Sequence, residues 1–391
     1  MSKVGIVSVD GHIKAAQQTY RDYLDPRHRE AYDEWSASAS ASGGRDAGNI
    51  QAEIPDEAQW DLSRRLTDLE SQGVIAEVLF PNGIPFQHNA FEDAGRAEDP
   101  ALSRAGIDAY NRWLVDFCAQ APNRLKGQAI VRFDDIDRAV LDVHWAKEHG
   151  LGGIMMPGLY PGDRYFFDPA LDPIWAAVEE TGLPLSQHGG AGAPTYTPAG
   201  LAAILTLAYE HAFFSGRSLW QMIVGGVFDR FPGIRIAFIE TEVRWIGPAL
   251  ALFDSRVEMG DDWMEFAAYL ERERAFARKP SEYWESNCYA GISPFHPNQL
   301  PLEKLRAEGT LAPGEFAIRS TNAMFGVDFP HFESIYPATD EQVAALTGQG
   351  SLTRQDIRAV LCDNAAQLYG IDLVELAPII DRVGVDLGPD R

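Results

Sequence analysis

The sequence predicts an α/β protein built as a (β/α)8 TIM barrel with helical insertions over its C-terminal face. Eight short apolar runs rich in β-branched residues recur along the 391 residues, and stretches of helical length separate them. These runs show little strict alternation of polar and apolar residues, which is typical of parallel strands buried on both faces. Because barrels with insertions commonly reach this length, we predict a single domain over residues 1–391.

The apolar runs follow one another in regular order. They occupy residues 4–9, 73–80, 127–133, 152–156, 183–187, 234–239, 287–292 and 324–327. Two of the connecting helices are predicted at 134–149 and 172–181, and the second should end at Gly182. The structural alternative, an open doubly wound sheet, usually has a glycine-rich phosphate loop after its first strand. Residues 9–12 (VDGH) form no such loop.

Three stretches exceed the minimal β/α repeat, at about residues 25–60, 191–222 and 254–284. The first contains a Ser/Ala/Gly-rich run from Ser36 to Gly44, which predicts a flexible loop. Insertions after barrel strands rise over the face where substrates bind. We therefore predict that the first two stretches form parts of a lid or pocket wall, with structural elaboration or an oligomer interface as the alternatives.

Composition limits the classes of function. The formal net charge of −24 argues against nucleic acids and anionic membranes, because phosphate binding needs clustered Lys and Arg. No signal peptide or run of roughly 18 apolar residues is readable. Three distant cysteines argue against a disulfide framework or a Cys-rich zinc site. We expect a cytoplasmic protein that acts on a small molecule, with a homodimer or higher homo-oligomer as its candidate assembly.

Polar residues stand at the carboxyl ends of predicted strands, where barrels place their catalytic groups. Strand one ends in Asp10-Gly11-His12, strand five in His188 and strand eight in Asp328. Asp10 and His12 point the same way on an extended strand, and Gly11 is expected to let the backbone bend. Two imidazoles and two carboxylates suit a first-row divalent ion with open positions. We predict all four as ligands of one metal ion, zinc first and manganese second, with Asp328 also a catalytic candidate.

Other polar residues are candidates for catalysis or substrate binding. Glu240 follows strand six and is a catalytic candidate, and Arg244 lies one helical turn beyond it. His331 lies just beyond strand eight, whereas His88 and His211 fall in predicted pocket loops. We predict Arg244, His331, His88 and His211 as substrate-binding residues.

These motifs resemble the amidohydrolase superfamily, in the "amidohydrolase 2" branch that includes aminocarboxymuconate-semialdehyde decarboxylase. The matching segments are VDGH at 9–12, LPLSQHG at 183–189, RFPGI at 230–234, FGVDFPH at 325–331 and DNAAQLYG at 363–370. The resemblance implies that the strand-one pair, His188 and Asp328 are metal ligands. The chain departs from the family pattern at two positions. Many relatives carry His-x-His where this chain has Asp10-x-His12. The decarboxylases carry a catalytic His where this chain has Glu240.

Glu240 is expected to determine the reaction class. A divalent ion with Asp10 and Asp328 is formally neutral, and an ionised Glu240 would make the site negative. One carboxyl is therefore expected to hold a proton with a raised pKa, as a general acid and base for metal-bound water. This predicts a metal-dependent hydrolase of a small organic substrate.

Three alternatives to this hypothesis remain. The enzymatic one is metal-dependent non-oxidative decarboxylation of an aromatic or unsaturated carboxylic acid, whose carboxylate Arg244 or His331 could neutralise. Glu240 could instead pair only with Arg244 and take no part in the chemistry. The third alternative is a catalytically inactive binding protein, which would purify without stoichiometric metal.

Overall fold

The structure is a computed structural model. It describes residues 3–41, 56–87, 99–159, 163–194, 196, 198, 200–241, 243, 245–262, 276–292, 322–331, 334–347 and 353–387. Within these residues, eight parallel strands form one sheet in which each strand pairs with the next along the chain. A parallel bridge between Gly11 and Phe329 joins the two edges of the sheet. The sheet thus closes on itself, and the predicted (β/α)8 barrel is confirmed.

The barrel strands correspond to the eight apolar runs. They are β1 Ile6–Ile13, β2 Val74–Pro81, β3 Leu125–Ile130, β4 Gly153–Met155, β5 Leu185–His188, β6 Ile236–Ile239, β7 Cys288–Ile292 and β8 Ala323–Phe325. Most of their residues are buried, as expected for parallel strands covered on both faces. Outside the barrel, Lys3–Val4 pairs antiparallel with Val385–Asp386 and brings the two ends of the chain together.

Helices connect the strands and pack around them. They are α1 Tyr20–Tyr23, α2 Arg29–Ala41, α3 Leu62–Glu70, α4 Pro100–Cys118, α5 Ile136–Glu148, α6 Asp172–Thr181, α7 Leu201–Val224, α8 Val227–Arg230, α9 Ile246–Asp262, α10 Pro280–Asn287, α11 Thr339–Thr347, α12 Arg354–Arg358, α13 Asn364–Tyr369 and α14 Ala377–Val383. Asp61, Asp99 and Asp135 cap α3, α4 and α5 by accepting backbone N–H bonds. As predicted, α6 ends at Gly182, in the left-handed conformation that glycine favours.

The first insertion is more helical than the sequence predicts. The prediction of a flexible loop from Ser36 to Gly44 is wrong for residues 36–41, because α2 continues through Ala41. Ala is the best helix former and Ser is tolerated, so a run of small residues need not end a helix. Residues 42–44 lie outside the described residues, as do 263–275 of the third insertion. The prediction of one domain over residues 1–391 stays a prediction.

The second insertion is dominated by α7, which carries a row of exposed large apolar side chains. They are Leu201, Ile204, Leu205, Tyr209 and Phe213, with Tyr209 91% exposed. A lid or pocket wall and an oligomer interface both stay predictions for this helix. Among the described residues, no helix is both long enough and apolar enough to span a membrane.

Candidate metal centre

The last part of β1 carries Asp10 and His12, which are fully buried. They lie within the strand rather than beyond its end, because β1 continues to Ile13. The backbone here is tied to the segment after β8: Asp328 donates its N–H to the carbonyl of Asp10 at 2.8 Å, and His12 donates its N–H to the carbonyl of Phe329 at 2.7 Å. Barrel closure therefore brings Asp10 and Asp328 together from opposite ends of the chain.

The four predicted metal ligands fall in two groups that share His12: Asp10, His12 and His188 form one, and His12, Asp328 and His331 form the other. His12 Nε2 lies 3.3 Å from Asp10 Oδ1 and 3.2 Å from Asp328 Oδ1. His188 Nε2, at the end of β5, lies 3.4 Å from the same oxygen of Asp10. Donors held about 2.1 Å from one ion lie about 3.0 to 3.4 Å apart in octahedral or tetrahedral geometry. Each of these three separations therefore suits two neighbouring ligands of an ion.

Two buried carboxylate oxygens give an independent test of this fit. Asp10 Oδ2 and Asp328 Oδ2 have no hydrogen-bond partner among the described residues. A buried carboxylate oxygen without a donor is costly, because it loses its hydration without replacement. A cation beside these oxygens would offset that cost, so the residues present fit a divalent metal ion.

The electrostatics of this cluster favour the protonated form of His12. Burial disfavours the charged form of Asp10, but bonding to His12 and His188 outweighs burial and holds the Asp10 pKa below its usual range. Burial also opposes charge on His12, yet Asp10 and Asp328 together raise the His12 pKa well above its usual value. For His188 burial prevails over the attraction of Asp10, and its pKa is lowered.

Metal uptake should therefore release a proton. A ligand imidazole must be neutral to bind an ion, so the proton on His12 has to leave. Apparent Mn²⁺ affinity should rise with pH until the pKa of His12 is passed and then level off. Calorimetric titration at pH 7 in buffers of different ionisation enthalpy should show release of about one proton per ion. Uptake without proton release would contradict the raised pKa.

His331 lies against this cluster. Its ring stacks on His12, with centroids 3.7 Å apart and planes inclined by 27°. His331 Nδ1 is 2.9 Å from Asp328 Oδ1, and Nε2 is 3.1 Å from Asn82 Oδ1. His12, Asp328 and His331 thus form a second possible donor group that overlaps the first. Because His12 Nε2 has one lone pair, it can bind an ion in only one of the two groups at a time.

Glu240 contacts the outer side of His188. Its backbone φ is 52°, in the left-handed region that few non-glycine residues adopt. Glu240 Oε2 lies 3.4 Å from His188 Nδ1, the ring nitrogen opposite the one that faces Asp10. The carboxylate is therefore one imidazole ring away from the cluster. The alternative partner, Arg244, lies outside the described residues, and a raised pKa for Glu240 stays a prediction.

The remaining substrate-binding candidates are less informative. His211 is buried in α7, with Nδ1 3.1 Å from the carbonyl of Ala208 in its own helix. His88 lies outside the described residues. The roles of both in substrate binding stay predictions.

The chain matches the sequence model of the amidohydrolase family over residues 60–371. It belongs to this family. The resemblance noted in the sequence is confirmed, and the protein is an enzyme of the hydrolase or carboxy-lyase type. No curated protein matches the chain at a significant level.

Several solved structures share the fold of this amidohydrolase. A 5-carboxyvanillate decarboxylase from Novosphingobium aromaticivorans DSM 12444 is 18% identical, with a TM-score of 0.65 over 94% of this chain and 97% of that one. A 2,6-dihydroxybenzoate decarboxylase from Rhizobium is 17% identical, with a TM-score of 0.62 over 94% and 99%. An amidohydrolase from Mycobacterium avium subsp. paratuberculosis K-10 is 18% identical, with a TM-score of 0.62 over 94% and 99%. At such identities the likeness shows the fold alone.

Two residues that contact β1 beside Asp10 and His12 were not among the candidates predicted from the sequence. Arg65 of α3 and Glu77 of β2 are both fully buried, and Arg65 Nη2 lies 2.8 Å from Glu77 Oε2. The sequence signal was Glu77 itself, the one charged residue in the run VIAEVLF at 74–80. A charge inside an apolar strand requires a buried partner of opposite charge, so Glu77 in this run predicts a buried ion pair.

Proposed function

We propose that this amidohydrolase is a metal-dependent decarboxylase that removes CO2 from an aromatic carboxylic acid without oxidation. The position of Glu240 carries the proposal, because its carboxylate faces His188 Nδ1 rather than the ion-binding side of the cluster. The summed formal charge of a divalent ion and the carboxylates of Asp10 and Asp328 is then zero. Such a site accepts a substrate carboxylate, which a third carboxylate beside the ion would repel.

The solved structures with this fold support the choice of substrate and metal. The names of two of them, a 5-carboxyvanillate and a 2,6-dihydroxybenzoate decarboxylase, specify hydroxylated aromatic acids. The first was solved with bound manganese and 3-methoxy-4-hydroxy-5-nitrobenzoic acid. We therefore propose a hydroxylated aromatic carboxylic acid as the substrate class and manganese as the metal. Zinc stays a prediction.

The described residues can provide what the reaction requires. In R–CO2⁻ + H⁺ → R–H + CO2, the carbon–carbon bond breaks, its electron pair stays on the ring carbon, and that carbon takes a proton. A divalent ion held by the four ligands would supply positive charge to bind a substrate oxygen. Asp328 Oδ1 and His331 Nδ1 lie 2.9 Å apart at the edge of the cluster. We assign to this pair the holding and delivery of the proton.

Hydrolysis remains the competing prediction, and Glu240→Gln separates the two. If Glu240 orients His188, Mn²⁺ affinity should fall by about tenfold, the low end for residues behind a metal ligand. His188 Nδ1 keeps its contact with the carbonyl of Gly189, 3.1 Å away, and kcat should recover when Mn²⁺ is saturating. If Glu240 is instead the acid–base group, affinity should be unchanged and kcat should fall by about 10²–10⁴-fold at every metal concentration. Mn²⁺ titration by electron paramagnetic resonance, with kcat at saturating metal, measures both.

Release of CO2 tests the function directly. Manganese-loaded protein would be incubated with 5-carboxyvanillate, 2,6-dihydroxybenzoate and related hydroxybenzoates, and separately with lactones and amides. We expect CO2 and the decarboxylated arene in equal amounts from at least one aromatic acid. Turnover of a lactone or amide, with no CO2 from any acid, would overturn the proposal.

A further inference from the structure

A buried ion pair lies beside the metal-binding end of β1. Arg65 and Glu77 have no solvent exposure, and Arg65 Nε donates to Glu77 Oε2 at 2.8 Å. The guanidinium also donates through Nη1 to the carbonyls of His12, at 3.0 Å, and Ala58, at 3.1 Å. Charges this deeply buried need further hydrogen bonds to offset their lost hydration. One of those bonds goes to the backbone of a predicted metal ligand.

The same pair explains the glycine between Asp10 and His12. A Cβ placed on Gly11 would lie 2.2 Å from Glu77 Oε1 and 2.5 Å from its Cδ. Gly11 is not among the described residues with positive φ, and the pairing of β1 with β2 shifts register between Ser8 and Gly11. The expectation that Gly11 lets the backbone bend stays a prediction. The glycine is required because the carboxylate of Glu77 occupies the space beside it.

Three contacts thus converge on His12 from the β2 side of the barrel. Arg65 bonds its carbonyl, Glu77 packs on the preceding residue, and the carbonyl of Pro81 lies 3.4 Å from His12 Nδ1. The Arg65 guanidinium also lies 5.2 Å from the ring centroid of Phe329, whose carbonyl accepts from His12 N–H. With its backbone held on both sides, His12 keeps Nε2 directed at the two carboxylates.

We propose that Arg65 and Glu77 are positioning residues for the metal ligand His12, acting through the backbone of β1. This inference rests on the metal site of the proposed function and is independent of the reaction that the site performs. Outer groups that orient a metal ligand typically affect metal affinity by about 10- to 100-fold when they are removed. A purely structural ion pair would instead change thermal stability and leave metal affinity alone.

The chain offers a control in a second arginine–glutamate pair that bonds a barrel strand. Arg124 Nη1 lies 2.8 Å from Glu70 Oε1, and Arg124 Nε donates to the carbonyl of Ile75 in β2 at 2.8 Å. This is again an arginine–glutamate pair bonded to a strand carbonyl, but at the amino end of β2, away from the ligands. Glu70→Gln weakens this pair, as Glu77→Gln weakens the other, and it also weakens the contact of Glu70 Oε2 with Arg382 Nη2 at 2.7 Å.

The experiment compares Mn²⁺ dissociation constants with the Tm of the metal-free proteins. We expect Glu77→Gln and Arg65→Lys to weaken Mn²⁺ binding by about 10- to 100-fold, and Glu70→Gln to lower Tm with Mn²⁺ binding changed less than about twofold. Arg65→Lys keeps the charge but loses the planar fork that reaches Glu77 and His12 together. If Glu77→Gln does not fold, Arg65→Lys decides by the same titration.

Two results would overturn the inference: unchanged Mn²⁺ affinity in the folded variants of the pair, or an equal loss of affinity in Glu70→Gln. A wild-type protein that binds no Mn²⁺ would overturn the metal site and this inference with it. Mn²⁺ binding without CO2 release from any acid would count against the proposed reaction only, because the affinity comparison does not depend on turnover.

Discussion

His12→Ala should remove the bound metal and the activity together. His12 Nε2 lies within 3.3 Å of both Asp10 Oδ1 and Asp328 Oδ1, at the centre of the donor set. Alanine supplies no donor, and the two buried carboxylates lose the imidazole that contacts both of them. Loss of the ion's electrostatic stabilisation, several kcal/mol, corresponds to a fall in kcat/KM of about 10³-fold or more. Metal content after dialysis and kcat/KM for the substrate measure the two effects.

A second histidine provides the control for this substitution. His149 lies at the end of α5, exposed, with Nδ1 2.8 Å from the carbonyl of Trp145. His149→Ala should keep full metal content and full activity. Full metal occupancy in His12→Ala would mean that the ligands lie elsewhere in the chain.

The barrel could be predicted because each strand carries its signal locally. Runs of β-branched and apolar residues identify strands buried on both faces, and all eight predicted runs overlap observed strands. The limits of β1 were less predictable. The strand contains the polar residues Asp10 and His12 near its end. They stay in the strand because the N–H of His12 bonds the carbonyl of Phe329, more than 300 residues away in sequence. The end of α2 was also hard to predict. The small residues after Ser36 make the sequence less hydrophobic and suggest a loop, but they do not break the helix.

The gathering of Asp10, His12, His188 and Asp328 at one end of the barrel could be predicted, because parallel barrel strands all end at the same face. The environment of Glu240 could not be predicted in this way. It depends on a left-handed φ at residue 240, which turns the carboxylate toward His188 Nδ1. The position of Arg65 depends on how α3 packs against β2. Neither is a property of a local pattern.

Asp328→Asn should abolish most of the activity while leaving the fold intact. Asp328 has a φ of 58°, and asparagine is among the few residues that tolerate this left-handed conformation. The backbone bond from residue 328 to the Asp10 carbonyl does not involve the side chain and should persist. The substitution therefore removes the charge and the proton-holding oxygen beside His331. We expect kcat to fall by about 10²–10⁴-fold at saturating Mn²⁺, with Tm close to that of the wild type.

Comparison with Asp328→Ala separates backbone strain from chemistry. Alanine lacks the short polar side chain that eases the left-handed conformation, so Asp328→Ala should lower Tm as well as kcat. Asp328→Asn should lower kcat without lowering Tm. Mn²⁺ affinity should weaken in both, because each loses an anionic ligand, and the kcat measurement is therefore made at saturating metal. Wild-type kcat in Asp328→Asn would exclude Asp328 from proton delivery. In that case, His331→Gln should lower kcat if His331 delivers the proton without Asp328.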